Sequence, residues 1–275
     1  MAILEKKMGK KTKNQVILIE KRNVLNSMRN CSLTMPELKL LSIYLARINA
    51  RDVKTRLVKI PLSEYMCVMD IGEDINLTHL RESVRHLLQH VVEVPNEKGH
   101  GYTAFQLFKR CKVEKDEKGI WTIEIDAHDD SLPLMFNFKK EYFTYELQNA
   151  LNLKSSNQIR MYEILKQYEN VGKRELSIIE LRSLLGIKDE EYPRWNNFRA
   201  KVLDSCQRAL EEYTDITFTY EKGTGGAGGK WLSIIFNIYP QTPAYAEKKI
   251  ENFCSGEKAE EIQEEFIDED DIPLF

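Results

Sequence analysis

The sequence predicts an α+β fold of two tandem winged helices, and three observations carry that prediction. In the stretch from 192 to 238, Trp195, Phe198, Val202, Cys206, Ala209 and Leu210 recur at helical spacing. Ile216, Phe218 and Tyr220, then Leu232, Ile234, Phe236 and Ile238, alternate as two strands around a glycine-rich turn. A helix leading into a hairpin is the reading half of a winged helix. The second observation is that helix–strand–helix–helix–hairpin occurs twice. IPLSEYMCVMDI (60–71) aligns in residue type with LSIIELRSLLGI (176–187), placing Glu64 opposite Glu180. The third is the far side of the helix near 200: Asn196, Asn197, Ala200, Lys201, Asp204, Gln207 and Arg208. Amides pair with adenine edges, cations with guanine or phosphate, and a small residue permits close approach to a groove. The alternative for this stretch alone is a helix packed on a hairpin with no ligand.

In chain order, residues 1–30 read as a basic arm with Lys6, Lys7, Lys10, Lys11, Lys13, Lys21 and Arg22 and one apolar patch, Val16 to Ile19. Such an arm touches phosphates or is simply solvated. The first winged helix is placed at 31–137. Thr34-Met-Pro-Glu37 is a capping box that opens a helix with Leu38, Leu41, Leu45 and Ile48 inward. A strand from Leu57 to Ile60 and a helix from Pro61 to Met69 follow. Asn76 or Thr78 caps a third helix with Leu80, Val84, Leu87 and Leu88 inward. Its outer face offers His79, Arg81, Ser83, Arg85 and His86. A strand pair, roughly Tyr102–Val113 and Ile120–Asp126, adds Lys109, Arg110, Lys112 and Lys115.

The second winged helix is placed at 138–240. A helix from about Ser156 to Tyr168 turns Ile159, Tyr162 and Leu165 inward, and a short strand ends at Leu176. Ser177-Ile-Ile-Glu180 is a second capping box whose helix stops at Gly186. The polar-faced helix and hairpin complete the unit. Residues 241–275 form an acidic tail, expected to be disordered.

Charge agrees with this division. The 275 residues carry a net charge of -3, but residues 251–275 hold ten acids and one base, so residues 1–250 carry +6. An acidic tail masks a basic body. Five cysteines without C-x-x-C spacing read as reduced thiols and hence a cytoplasmic setting. No apolar run approaches the ~18 residues of a membrane span.

From Tyr142 onward the sequence resembles the iteron-binding replication initiators of theta-replicating plasmids, the family of the RepE, RepA and pi initiators. The matching residues are YFTYELQNALNLKSSNQIRMYEILKQYE (142–169), ELSIIELRSLLGI (175–187), YPRWNNFRAKVLDSCQRALEE (192–212) and the hairpin ending WLSIIFNI (231–238). LTMPELKLLSIYLARI (33–48) extends the likeness more loosely into the first half. The resemblance implies two winged helices and reading of short direct repeats at a plasmid origin. It also implies melting of nearby duplex, recruitment of the host initiator and replicative helicase, and monomers that bind repeats beside dimers that repress their own gene. In this frame Arg194, Lys201 and Arg208 are expected on phosphate or guanine. Asn196, Asn197 and Gln207 are expected on base edges, Lys222 and Lys230 on phosphates beside the wing, and Arg81 and Arg85 in the neighbouring groove. Arg199 borders the core stripe and fits either a phosphate contact or a structural pair. A dedicated repressor built from the same modules is the alternative function, and a protein-interaction scaffold without DNA is a third.

Other chemistry has little support. Gly223-x-Gly225-x-x-Gly228 follows a strand but leads into another strand, so no helix N-terminus is there to receive a pyrophosphate. His86 and His90 stand four apart without further ligands, and no nucleophile–base or paired-carboxylate arrangement is present, so neither cofactor, metal nor enzyme activity is expected. The tail ends Asp271-Ile272-Pro273-Leu274-Phe275, similar to the short peptides that bind bacterial sliding clamps and to the acidic tip of single-strand DNA-binding proteins. Ile272, Leu274 and Phe275 are the expected anchors in a host pocket.

Overall fold

The computed structural model describes residues 17–27, 33–69, 77–95, 101–115, 117, 119–226 and 229–242. Strand β1 (Leu18–Arg22) and the short α1 (Asn23–Asn26) come first. Helix α2 (Met35–Arg47) starts where expected, with the Thr34 amide donating to the Glu37 carboxylate at 2.8 Å. Then come β2 (Leu57–Pro61), α3 (Leu62–Met69) and α4 (Leu77–Gln89). Four strands follow: β3 (Val91–Pro95), β4 (Tyr102–Gln106), β5 (Phe108–Lys115) and β6 (Trp121–Ala127). The short α5 (Leu132–Met135), β7 (Tyr142–Glu146) and α6 (Leu147–Asn152) lead to α7 (Ser156–Lys166). Strand β8 (Lys173–Ser177) and α8 (Ile178–Leu185) precede the polar-faced helix. That helix is α9 (Trp195–Phe198), a π turn (Arg199–Leu203) and α10 (Asp204–Tyr213) in direct succession. Strands β9 (Ile216–Lys222) and β10 (Ser233–Pro240) end the described chain.

The duplication is present in the sheets as well as in the order. The first half has strand order β2-β6-β5 and the second β8-β10-β9. In each, the strand after the first helix pairs with the last strand, which pairs with its hairpin partner. Ile60 faces Ile123 in one sheet, and Leu176 faces Ile234 in the other. One side of each sheet packs on its helices. Leu80, Val84 and Leu87 of α4 are buried, as are Phe198, Val202, Leu203, Cys206 and Leu210 of the second half. Each such side chain contributes about 1.5–3 kcal/mol when fully buried. Helix α8 ends at Gly186 (φ 71°), where the Ile187 amide reaches Arg182 O at 2.9 Å, the left-handed cap its glycine suggests.

The structure differs from the expected boundaries at two places. The basic arm does not extend to residue 30, because β1 pairs antiparallel with β7, Ile19 opposite Tyr145, with Ile19 fully buried. Near the expected start of the second winged helix at 138, β7 and α6 pack on β1 and α2 and so join the two halves. The strand expected over Tyr102–Val113 is broken near Leu107. Its first part turns back as β4 on β3, an extra hairpin inserted before the wing of the first half. Among the described residues, no helix is long and apolar enough to cross a membrane.

The junction between the halves is a buried charged cluster. Lys21 Nζ lies 2.6 Å from Glu163 Oε1, which also accepts from Tyr145 OH at 2.9 Å. Arg160 lies 3.2 Å from the other Glu163 oxygen and donates to Asn26 O at 2.9 Å and Leu184 O at 3.2 Å. Lys21, Arg160 and Glu163 are at most 2% exposed. Burial alone would raise the Glu163 carboxyl, but Lys21 and Arg160 outweigh it and hold the group below the usual carboxylate range.

Candidate nucleic-acid interface

The loop before α9 is shaped by one side chain. Arg182 of α8 donates to the carbonyls of Lys188, Glu191 and Tyr192 and lies over the Phe198 ring at 5.5 Å. Tyr192 sits at φ 49°, in the left-handed region, and this fan of carbonyl contacts holds it there. The helix then enters with Trp195 packed on Trp231 of the wing, ring centroids 4.7 Å apart.

The π turn sets which side chains face outward. A regular helix brings Phe198 and Val202 into line but leaves Leu203 off the stripe. The wider turn aligns residues five apart, so Phe198 and Leu203 are both buried along with Val202. Asn196, Asn197, Ala200, Lys201 and Arg208 remain exposed on the opposite side, with Arg194 and Arg199 at its leading edge. This is the amide-and-cation surface the sequence suggested.

Two expected members of that surface are engaged elsewhere. Gln207 is half-buried, and its Nε2 donates to Phe218 O of β9 at 2.7 Å, so it fastens the helix to the sheet. Asp204 accepts from Tyr220 OH, and Arg199 Nε donates to the same phenol oxygen at 3.1 Å. Arg199 is therefore both exposed and anchored. Burial, then the bond to Asp204, raises the Tyr220 phenol.

The wing is braced at its root. Thr224 N donates to Ser233 Oγ at 2.6 Å, and the Ser233 hydroxyl donates to Glu175 of β8. A Cβ at Gly223 would meet the ends of both side chains, so Ser233 and Glu175 would have to shift from this bracing contact to admit one. Lys222 bends back to donate to Gly229 O at 2.9 Å, while Lys230 stays exposed. The glycine-rich turn is thus partly held by its own lysine. Its Gly228 lies outside the described residues, as do Ile272, Leu274 and Phe275.

In the first half, Arg81 and Arg85 are exposed on one side of α4. His86 contacts Glu37 at 2.8 Å and so ties α4 to α2 instead of extending the surface. The hairpin cations also differ from expectation. Lys109 pairs with Asp126 at 3.1 Å, Arg110 with Glu124 at 2.9 Å and Lys112 with Glu114 at 2.5 Å, while Lys115 lies over Trp121. Strand β6 supplies the acids for Lys109 and Arg110 and β5 itself supplies Glu114 for Lys112, so much of the hairpin's positive charge is neutralised within the sheet.

Among the described residues, no group of three or more His, Cys, Asp or Glu side chains is placed to hold a metal ion. The Cys206 and Cys111 thiols are pushed up to about 12 by burial, and in Cys111 also by Glu124, so neither is a ready nucleophile.

Two family models match this chain, described as "Initiator Replication protein, WH1" over residues 18–166 and "Initiator Rep protein, WH2" over residues 177–238. The chain belongs to the initiator replication protein family. The match of the first unit begins at β1 and takes in β7 and α7, in agreement with the strand pairing. The chain is 24% identical over 201 residues to a replication initiation protein of Escherichia coli, covering 69% of this chain and 61% of that relative. It therefore spans about three-fifths of the length of that curated protein. The fold is also that of the Pi initiator protein solved in complex with iteron DNA. The TM-score is 0.68 at 18% identity, covering 84% of this chain and 99% of the other.

Proposed function

We propose that this initiator binds directly repeated (iteron) duplex DNA at a plasmid origin, helps to melt it and recruits the host initiator and replicative helicase. One observation carries the reading. The third helix of the second winged helix exposes Asn196, Asn197, Ala200, Lys201 and Arg208 as one continuous polar side, beside a braced wing. That arrangement suits a major groove, with the amides on base edges and the cations on guanine or phosphate. The Pi initiator, which shares the fold, was solved with iteron DNA, and this supports the same class of ligand here. Arg81 and Arg85 would hold a neighbouring stretch of backbone. The protein acts by binding and deforming DNA, without catalysis, in the cytoplasm. The dimer would act as an autorepressor of its own gene.

Selection of bound duplexes from random DNA, with affinity followed against salt, tests this. One asymmetric site of about two helical turns with a steep salt slope is expected. A palindromic site alone would favour the dedicated repressor, and no enrichment would contradict DNA reading altogether. The sliding clamp is a further proposed partner through Leu274 and Phe275. Deleting those two residues should weaken clamp binding and spare DNA binding, and unchanged clamp affinity would refute the contact.

A further inference from the structure

An open groove of about 390 Å³ runs along α4 beside the start of β5. Its floor is Val84, Leu88 and Phe108, and its rim carries Arg81, Arg85 and Lys109. Among the described residues, Arg81 and Arg85 enter no ion pair, whereas the neighbouring His79, His86 and Lys109 each face a carboxylate. A DNA backbone would use the rim and leave the floor empty. A cationic rim over an apolar floor suits an acidic segment with an apolar side chain among its acids. The chain carries such a segment. Phe266 and Ile267 are preceded by Glu264 and Glu265 and followed by Asp268, Glu269, Asp270 and Asp271.

We propose that this acidic segment docks in the α4 groove of its own chain, Phe266 on the apolar floor and carboxylates on Arg81 and Arg85, and competes there with DNA. The competition rests on the DNA-binding reading above; the docking does not. Twenty-three residues separate Thr242, the last described, from Phe266. At about 3.3 Å each they span up to ~80 Å, against a radius of gyration of about 19 Å for a compact chain of this length. Tethering raises the effective concentration of the segment toward the millimolar range, so a contact that is weak between separate molecules is populated within one. Salt weakens it, because the carboxylate–guanidinium contacts lie at the surface.

The test uses the full chain. Benzoylphenylalanine replaces Phe266, the protein is irradiated without DNA, and cross-linked peptides are mapped. Cross-links within one chain to residues 81–89 or 106–109, lost in Arg81→Glu/Arg85→Glu, are expected. Cross-links between two chains, cross-links only to the second winged helix, or none would overturn the docking. In parallel, Phe266→Ala/Ile267→Ala keeps every charge of the segment. It should bind DNA about 3–10-fold more tightly than the unaltered chain at low salt, the release expected from a tethered competitor at millimolar effective concentration. That gain should vanish when Arg81 and Arg85 are also replaced by Ala. Unchanged affinity would show that any effect of the segment is general charge repulsion and would overturn the competition. If neither form binds DNA, the DNA-binding reading fails, and the cross-link alone still decides the docking.

Discussion

Asn197 and Gln207 are both amides on one helix, yet the structure gives them different work. Asn197 is exposed, whereas Gln207 spends its NH₂ group on the Phe218 carbonyl. Gln207→Ala should therefore cost about 1 kcal/mol of stability, the worth of one hydrogen bond, and leave the base preference of the DNA site unchanged. Thermal unfolding and site selection on the same variant check both halves. At the junction, Lys21 and Arg160 share a carboxylate that is 2% exposed. Lys21→Met should destabilise the fold, but by less than the about 3–5 kcal/mol of a wholly unpaired buried charge, because Arg160 still holds Glu163, as denaturant titration would show. Glu163 also gives the fold an acid limit. Its folded value lies below the ordinary 4.5, so its stabilising contribution is complete above that pH and is lost as pH falls through the depressed value. The unfolding midpoint should drop below pH 4.5, and the drop should be shallower in Glu163→Gln. Equal pH slopes for the two proteins would assign the acid limit to another group.

The elements that place the site are the loop before α9, the π turn and the root of the wing. Arg182→Ala removes the donor shared by the carbonyls of Lys188, Glu191 and Tyr192. It should loosen the loop and weaken DNA binding more than it lowers stability, and amide exchange of residues 187–194 would report the loosening. Gly223→Ala should disturb the wing by collision with Ser233 and Glu175. At this scale the sequence was a good guide wherever the information is local. The box at Thr34–Glu37, the stop at Gly186 and the alternation of β9 and β10 all appear as read. It was a poor guide wherever the partner is remote or the period irregular. Lys21 read as a solvated arm residue because its carboxylate is 142 residues away. Leu203 was left off the apolar stripe because a 3.6-residue period does not contain a π turn. The extra hairpin was missed because Tyr102–Val113 is apolar enough to pass for one strand. The exposed amides near 196–201 were legible, since exposure there follows from the stripe behind them. The pairing of Lys109 and Arg110 was not, since it depends on register with β6.

For the whole molecule, the repeated sheet order shows one winged-helix plan used twice, and the two copies present different charge. The second exposes an amide-rich side, and the first exposes two arginines that enter no ion pair among the described residues, over an apolar groove. The junction of β1, β7 and α7 joins the copies by strand pairing and by the buried contact of Lys21 with Glu163. The central claim is that the side of the helix bearing Asn196, Asn197 and Lys201 reads DNA. The most direct test compares Asn197→Ala with Lys201→Ala over a panel of single-base variants of the selected site at several salt concentrations. Asn197→Ala should cost about 1–3 kcal/mol and relax preference at one position, whereas Lys201→Ala should weaken all sequences alike and reduce the salt slope by about 1. If both variants match the unaltered protein in affinity, base preference and salt slope, that side of the helix is a solvated surface and the account is wrong.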